Sequence, residues 1–354
     1  MNLENYTAFS KLDILNLLAD IDSLPGQLQT AWELGQGLPL PDWKGMRQVV
    51  FAGMGASATG AELLAAYAAP LSPVPIVVLR DYDLPAWATG SHTLVVAVSR
   101  SGDTEETVSV FQQATRQGCR CLAVGAGGEL LRLATTANAP AWQYTLLNPA
   151  GTQVGFTFGL LAAAMYRLRW LPDLGAEMVR AVGAMQDQQN SLKADVPPMF
   201  NPAKRMAGQM MGRWVTIVGS GLLAPVARHW RNQIHLVAKS QAQVDDLPEM
   251  DHAALAGVLQ PEGMLGSTMF VFLRSVLNHS HNRLRSDLTK TALMLEGVGT
   301  DFVDAQSIGP LAQQWTCLHF GEYMAYYLAM AYGVDPAPSP AIEYMKQEIR
   351  RRGG

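Results

Sequence analysis

Near the N-terminus, Leu12, Ile14, Leu15, Leu17, Leu18 and Ile21 recur at helical spacing. Pro25-Gly26 is expected to break that helix, and Pro39, Pro41 and Gly45 close the segment. From Met46 the pattern changes to short, unbroken apolar runs. Residues 48–52, 75–80, 93–98, 120–124 and 141–146 read as five strands. Helices are predicted over 58–69, 104–117 and 156–170. Strands that are apolar throughout, rather than alternating, belong in a parallel sheet covered on both faces.

The polar stretch 186–191, followed by Pro197, Pro198 and Pro202, reads as a boundary. The pattern then restarts. Trp214-Val-Thr-Ile-Val218 runs into Gly219-Ser-Gly221, and 222–239 reads as a helix. A strand over 268–273 and helices over 284–296, 308–332 and 341–352 follow. The expectation is an α/β protein with residues 1–45 as an N-terminal helical segment. Two domains follow, 46–195 and 196–354, each a parallel sheet flanked by helices.

Composition narrows the function. Apolar residues make up 49% of the 354 and charged residues 16%, a chain able to bury large cores. With 26 basic and 30 acidic side chains the net charge is −4, so no basic face for nucleic acid is expected. Cys119, Cys121 and Cys317 are too few for a disulfide framework, and the single spacer of Cys119-x-Cys121 is not a metal or redox spacing. His279-Ser-His281 lacks a third ligand, so no metal site is expected. The N-terminus has no basic start before an apolar core, and the longest apolar stretch, near 154–165, is too short to span a bilayer. A reducing cytoplasm and no membrane contact are expected.

Two strand-to-helix turns carry candidate chemistry. Gly53-Met-Gly55-Ala-Ser57 follows the first strand, where glycines let backbone N–H groups approach an anion. Dinucleotide folds also begin this way, and Asp81 after the second strand is compatible, but position 58 is alanine instead of the third glycine. Ser99-Arg-Ser101-Gly-Asp-Thr104-Glu-Glu-Thr107 follows the strongest strand. Ser101 or Asp103 would serve as an N-cap there, with Glu105 and Glu106 in the first turn. Capping explains one hydroxyl, not three. Hydroxyls at 99, 101 and 104 around a glycine make an oxyanion cradle.

That run, with Gly53-Met-Gly55-Ala-Ser57 upstream, resembles the phosphosugar loop of sugar isomerase (SIS) domains. Arg231-Asn232 through Ala238-Lys239, Leu247-Pro-Glu-Met-Asp-His252 and the helix from Pro340 to Lys346 follow in matching order. Across residues 46–354 the chain is similar to the bifunctional phosphoglucose/phosphomannose isomerase family. The resemblance implies two SIS-like domains, a homodimer, and an active site between domains near the dimer contact. It implies no cofactor, and an aldose–ketose isomerisation of glucose or mannose 6-phosphate to fructose 6-phosphate through a cis-enediol. Gly55, Ser57, Ser99, Ser101 and Thr104 would hold the phosphate. His252 would assist ring opening, Lys346 would reach the sugar or its phosphate, and Ser339 and Gln153 would contact substrate.

Two positions depart from the family. Its glutamate base lies in an Asn-Glu-Asn-Ala-Lys run, and here His235-Leu-Val-Ala-Lys239 places Leu236 at the base. The family also has an arginine at the start of the helix after the fifth strand, whereas no Lys or Arg occurs between Arg132 and Arg167. Isomerisation needs a base beside C2 and positive charge near the developing oxyanion. Leu236 therefore leaves a second expectation, a phosphosugar-binding sensor without turnover. Substitutes for the base are His235, Asp245, Asp246 and Glu249.

Overall fold

The computed structural model describes residues 2–145, 151–337 and 339–352, the side chain of Arg350 excepted. The chain divides into two compact units, Ser23–Val182 and Met1–Asp22 with Gly183–Gly354. A short 3-10 helix, Tyr6–Lys11, precedes α1 (Leu17–Gly37). The Asp13 carboxylate starts α1 by accepting from the amides of Leu17 (2.7 Å) and Leu18 (3.0 Å). Pro25-Gly26 does not break the helix as expected; Pro25 lies inside it. A proline removes one helical donor, here the partner of the Ile21 carbonyl. His319 Nε2 lies 2.9 Å from that oxygen in its place.

The unit Ser23–Val182 is built on β1 (Gln48–Gly53), α2 (Gly55–Ala68), β2 (Ile76–Leu79), β3 (Thr93–Ser99), α3 (Glu105–Arg116), β4 (Arg120–Gly125), α4 (Gly128–Thr136), β5 (Ala141–Gln143) and α5 (Val154–Arg167). Its five strands are parallel in the order β2-β1-β3-β4-β5. Every residue of β3 is buried, as its unbroken apolar run demands. The fifth strand ends at Gln143, short of the predicted 141–146, and Leu146 lies outside the described residues. The chain leaves β1 toward one edge of the sheet and β3 toward the other. The crevice beyond the carboxyl ends of β1 and β3 is therefore the place where such sheets bind ligands.

The polar run 186–191, expected as a boundary, lies within α6 (Gly175–Leu192). Its polarity is used internally: Gln189 Nε2 donates to the Asp22 carbonyl (2.9 Å) and the Tyr323 hydroxyl (3.1 Å). There follow α7 (Pro202–Met210), β6 (Trp214–Gly219), α8 (Ala224–Leu236), β7 (Ala242–Asp246), β8 (Thr268–Arg274), α9 (Ser280–Leu295), β9 (Gly299–Asp304), α10 (Pro310–Tyr332) and α11 (Pro340–Arg352). The second sheet is parallel in the order β7-β6-β8-β9. Strands β7 and β9 were not predicted. Both are edge strands carrying acids, Asp245 and Asp246 in one and Asp301 and Asp304 in the other, and edges tolerate polar residues that a central strand does not. Helix α10 is buried from Leu311 to Ala331, which explains why its sequence is apolar on all sides. Among the described residues, no helix is long and apolar enough to cross a membrane.

Candidate active site

Gly53 ends β1 opposite Val98 of β3, so the two glycine- and serine-bearing turns lie side by side. A Cβ on Gly53 would come within 2.9 Å of the Val98 carbonyl oxygen, which accounts for glycine at the close approach. Ser57, in the first turn of α2, is 8% exposed. Gly55 opens that helix.

The second turn is tightly cross-braced. Ser99 Oγ donates to Thr104 Oγ1 (2.9 Å) and accepts from the Gly102 amide (3.0 Å). Ser101 Oγ accepts from the Asp103 amide at 3.2 Å. Gly102 has φ +78°, and a Cβ there would lie 1.8 Å from the Gly127 carbonyl oxygen. The Gly102 carbonyl accepts from Leu130 N (2.9 Å), and Asp103 Oδ1 accepts from Glu129 N (3.0 Å) at the start of α4. The capping alternative is thereby corrected. Thr104 occupies the N-cap position of α3 without a side-chain cap bond, and Asp103 serves α4 instead. Capping of α3 leaves all three hydroxyls unexplained.

Gln153 stands immediately before α5 with φ +52° and is 1% exposed. Between it and the serine turn lies a residue the sequence reading passed over. Arg100 Nη1 donates to the Gly151 carbonyl, so its guanidinium reaches the approach to α5. Burial pushes the neighbouring Tyr144 hydroxyl up to about 12, and the Arg100 charge opposes that shift. The only sequence signal for Arg100 was its position between two candidate serines.

The remaining predicted residues belong to the other unit. His252 closes a 3-10 turn, Glu249–His252, and is exposed. Ser339 precedes α11, its carbonyl accepting from Ile342 N at 3.0 Å. Lys346 Nζ lies 3.1 Å from Glu343 Oε1 one turn away. Leu236 ends α8 and is 42% exposed. Of the substitutes for the base, His235 Nε2 sits 3.1 Å from Ala242 N, and Asp246 pairs with Arg228 at 3.0 Å. Glu249 is exposed, and Asp245 is half-buried at the end of β7. Burial raises the Asp245 carboxyl above its ordinary range.

Parallel sheets with a hydroxyl-bearing turn at the point where strand order reverses define this as an SIS-domain α/β protein. The C-terminal domain of glucosamine-fructose-6-phosphate aminotransferase from Francisella tularensis has the same fold, with a TM-score of 0.69 at 14% identity, covering 91% of this chain and 98% of that one. Residues 200–349 match the bacterial phospho-glucose isomerase C-terminal SIS domain. Over 341 residues the chain is 31% identical to the bifunctional phosphoglucose/phosphomannose isomerase of Caldicellulosiruptor bescii, covering 94% of this chain and 98% of that one. The protein of the same name from Aquifex aeolicus is 28% identical over 304 residues, 86% of this chain and 90% of that one. The chain belongs to the bifunctional phosphoglucose/phosphomannose isomerase family.

Proposed function

We propose that this protein interconverts glucose 6-phosphate and mannose 6-phosphate with fructose 6-phosphate, as a cytoplasmic homodimer of tandem SIS domains, 46–195 and 196–354. The observation that carries the reading is the braced turn of Ser99, Ser101 and Thr104. Ser99 Oγ and Thr104 Oγ1 share a single hydrogen bond, which uses one hydroxyl proton and leaves the other of the pair for another acceptor. Ser101 Oγ already accepts from a backbone amide, so its own proton is likewise available to an anion. A phosphate monoester collects both, with Gly55 and Ser57 of the adjoining turn as further contacts. The sensor reading is not favoured, because relatives alike over nearly the whole length carry an isomerase name.

The reaction proceeds on the open-chain aldose. A carboxylate removes the C2 proton, the C2–H electron pair becomes the C1=C2 double bond, and the carbonyl π pair moves onto O1. Transfer of the O2 proton to O1 and return of a proton to C1, as the O2–H pair becomes the C2 carbonyl, gives the ketose. His252 serves ring opening, while Lys346, Ser339 and Gln153 contact substrate. Leu236 cannot act as the base. Among the four substitutes, Asp245 suits the role best: it is half-buried, its proton affinity is raised by burial, and Asp246 is already paired with an arginine.

The test is a coupled assay for fructose 6-phosphate formed from each aldose phosphate, together with deuterium uptake at C2, which detects the enediol when net turnover is slow. Absence of both, with hexose 6-phosphates still raising the melting temperature, would falsify the isomerase in favour of the sensor. Free glucose stabilising as strongly as glucose 6-phosphate would remove the phosphate site.

A further inference from the structure

The second sheet repeats the switch in strand order seen in the first. The chain leaves β6 toward β7 at one edge and β8 toward β9 at the other, so a second crevice lies beyond the carboxyl ends of β6 and β8. A small pocket there is lined by Gly219, Ser220, Asn278, Asn282, Arg283 and Ser286, among others. Ser220 leads through a 3-10 turn, Gly221–Leu223, into α8, while Asn282 and Arg283 lie in the first turn of α9. Neither helix carries an acid in its first turn, so both present uncompensated partial positive charge. Ser286, in the second turn of α9, is 5% exposed, and its Oγ is buried with no hydrogen-bond partner among the described residues. A serine inside a helix ordinarily bonds a carbonyl one turn back, and an orphaned buried hydroxyl is costly. The charges nearby are unequal. Arg274 is engaged by Asp304 (2.7 Å) and Asp287 (3.2 Å), and Asp246, opposite Gly219, is paired with Arg228 at 3.0 Å. Arg283 is exposed, and its side chain has no hydrogen bond or ion pair among the described residues.

We propose that this pocket binds a free inorganic oxyanion the size of phosphate, at a site separate from the serine turn. The orphaned Ser286 hydroxyl needs an acceptor, and an oxyanion provides one. Ser220, which makes no side-chain cap bond and is 3% exposed, offers a second hydroxyl. The side-chain amides of Asn278 and Asn282 are further donors. Arg283 at the rim supplies the countercharge in a fork that matches an oxyanion, and the two helix starts add to it. The same groups exclude a cation, and an apolar ligand would leave Ser286 without a partner. The pocket is small, so the sugar of a phosphate ester would stand outside it in solvent, which favours the free ion. None of these residues belongs to the serine turn, and the proposal does not depend on the isomerase reading.

The experiment titrates the full chain with inorganic phosphate by calorimetry, in a background of Ser101→Ala with Thr104→Ala that removes the hydroxyls of the first turn. That background should still bind one phosphate per chain and should not bind glucose 6-phosphate. Adding Arg283→Gln and Ser286→Ala should weaken inorganic phosphate at least about 10-fold, the worth of a hydrogen bond to a charged group. Arg283→Lys alone should retain part of the binding. Arg283 is exposed and Ser286→Ala removes only an unpartnered hydroxyl, so melting temperatures in phosphate-free buffer should match the parent and show that the variants fold. Three outcomes each overturn the proposal. Absence of phosphate binding in the Ser101/Thr104 background would leave the pocket to water. Binding that ignores Arg283 and Ser286 would place the ion elsewhere. Glucose 6-phosphate binding in that background, lost with Arg283→Gln and Ser286→Ala, would make the pocket a site for an ester instead of the free ion.

Discussion

His319 Nε2 lies 2.9 Å from the carbonyl oxygen of Ile21, the oxygen whose helical donor is missing because residue 25 is proline. To bond a carbonyl, Nε2 must carry the proton. Nδ1 is then bare, and it is buried without a partner among the described residues. A second proton would find no acceptor, and burial brings the imidazole down to about 4.

Stability should therefore fall on acidification. Above the ordinary histidine value of about 6.5 both folded and unfolded states are neutral, and the group contributes nothing. Between about 6.5 and 4 the unfolded chain takes a proton that the folded chain refuses. The slope approaches 1.4 kcal/mol per pH unit and levels off below the folded value. Urea denaturation from pH 7 to 4 should show this slope in the wild type and lose it in His319→Gln, where the amide still donates to Ile21. Identical slopes would mean that the loss arises elsewhere.

Gly102→Ala should be costly. The left-handed φ and the collision with the Gly127 oxygen act together, and strain of this kind is worth about 1–3 kcal/mol before any clash is counted. Reduced stability and loss of the thermal shift with glucose 6-phosphate should appear together. A variant that melts like the wild type and still binds would show that the turn can reorganise.

Ser101→Ala with Thr104→Ala should behave differently. Ser101 is exposed and Thr104 half-buried, so the fold should lose little, about 1 kcal/mol at most. The melting shift given by hexose 6-phosphates should nonetheless disappear. Retention of that shift would place the phosphate somewhere other than this turn.

Leu236→Glu tests the altered base. A buried carboxylate would carry a desolvation penalty, but Leu236 is 42% exposed, so stability should change by no more than about 0.5 kcal/mol. The variant should gain C2 proton exchange if the rest of the site is intact. Asp245→Asn in the wild-type background should lower exchange by about 10²–10⁴-fold, the usual worth of a general base. An unchanged rate would transfer the role to Glu249, Asp246 or His235.

The features legible in the sequence are the local ones. Ser99-Arg-Ser101-Gly-Asp-Thr104 writes its chemistry within a few residues, and the run at 93–98 could only be a buried parallel strand. What escaped depends on partners far along the chain. Pro25 reads as a breaker until His319, 298 positions beyond Ile21, supplies the missing donor. Gln189 reads as linker until Asp22 and Tyr323 satisfy it. Strands β7 and β9 escaped because edges are permitted the acids that define a loop elsewhere. Arg100 escaped because its target, Gly151, carries no side chain to advertise a partnership.

The bracing of the serine turn extends to a helix on the next crossover. The amides of Glu129 and Leu130, in the first turn of α4, end on the carboxylate of Asp103 and the carbonyl of Gly102. Opening the turn exposes both amides to solvent, and a ligand that holds it shut shields them. Hydrogen–deuterium exchange at residues 129 and 130 thus reads the occupancy of the turn from a neighbouring helix, whether or not the bound sugar is ever converted.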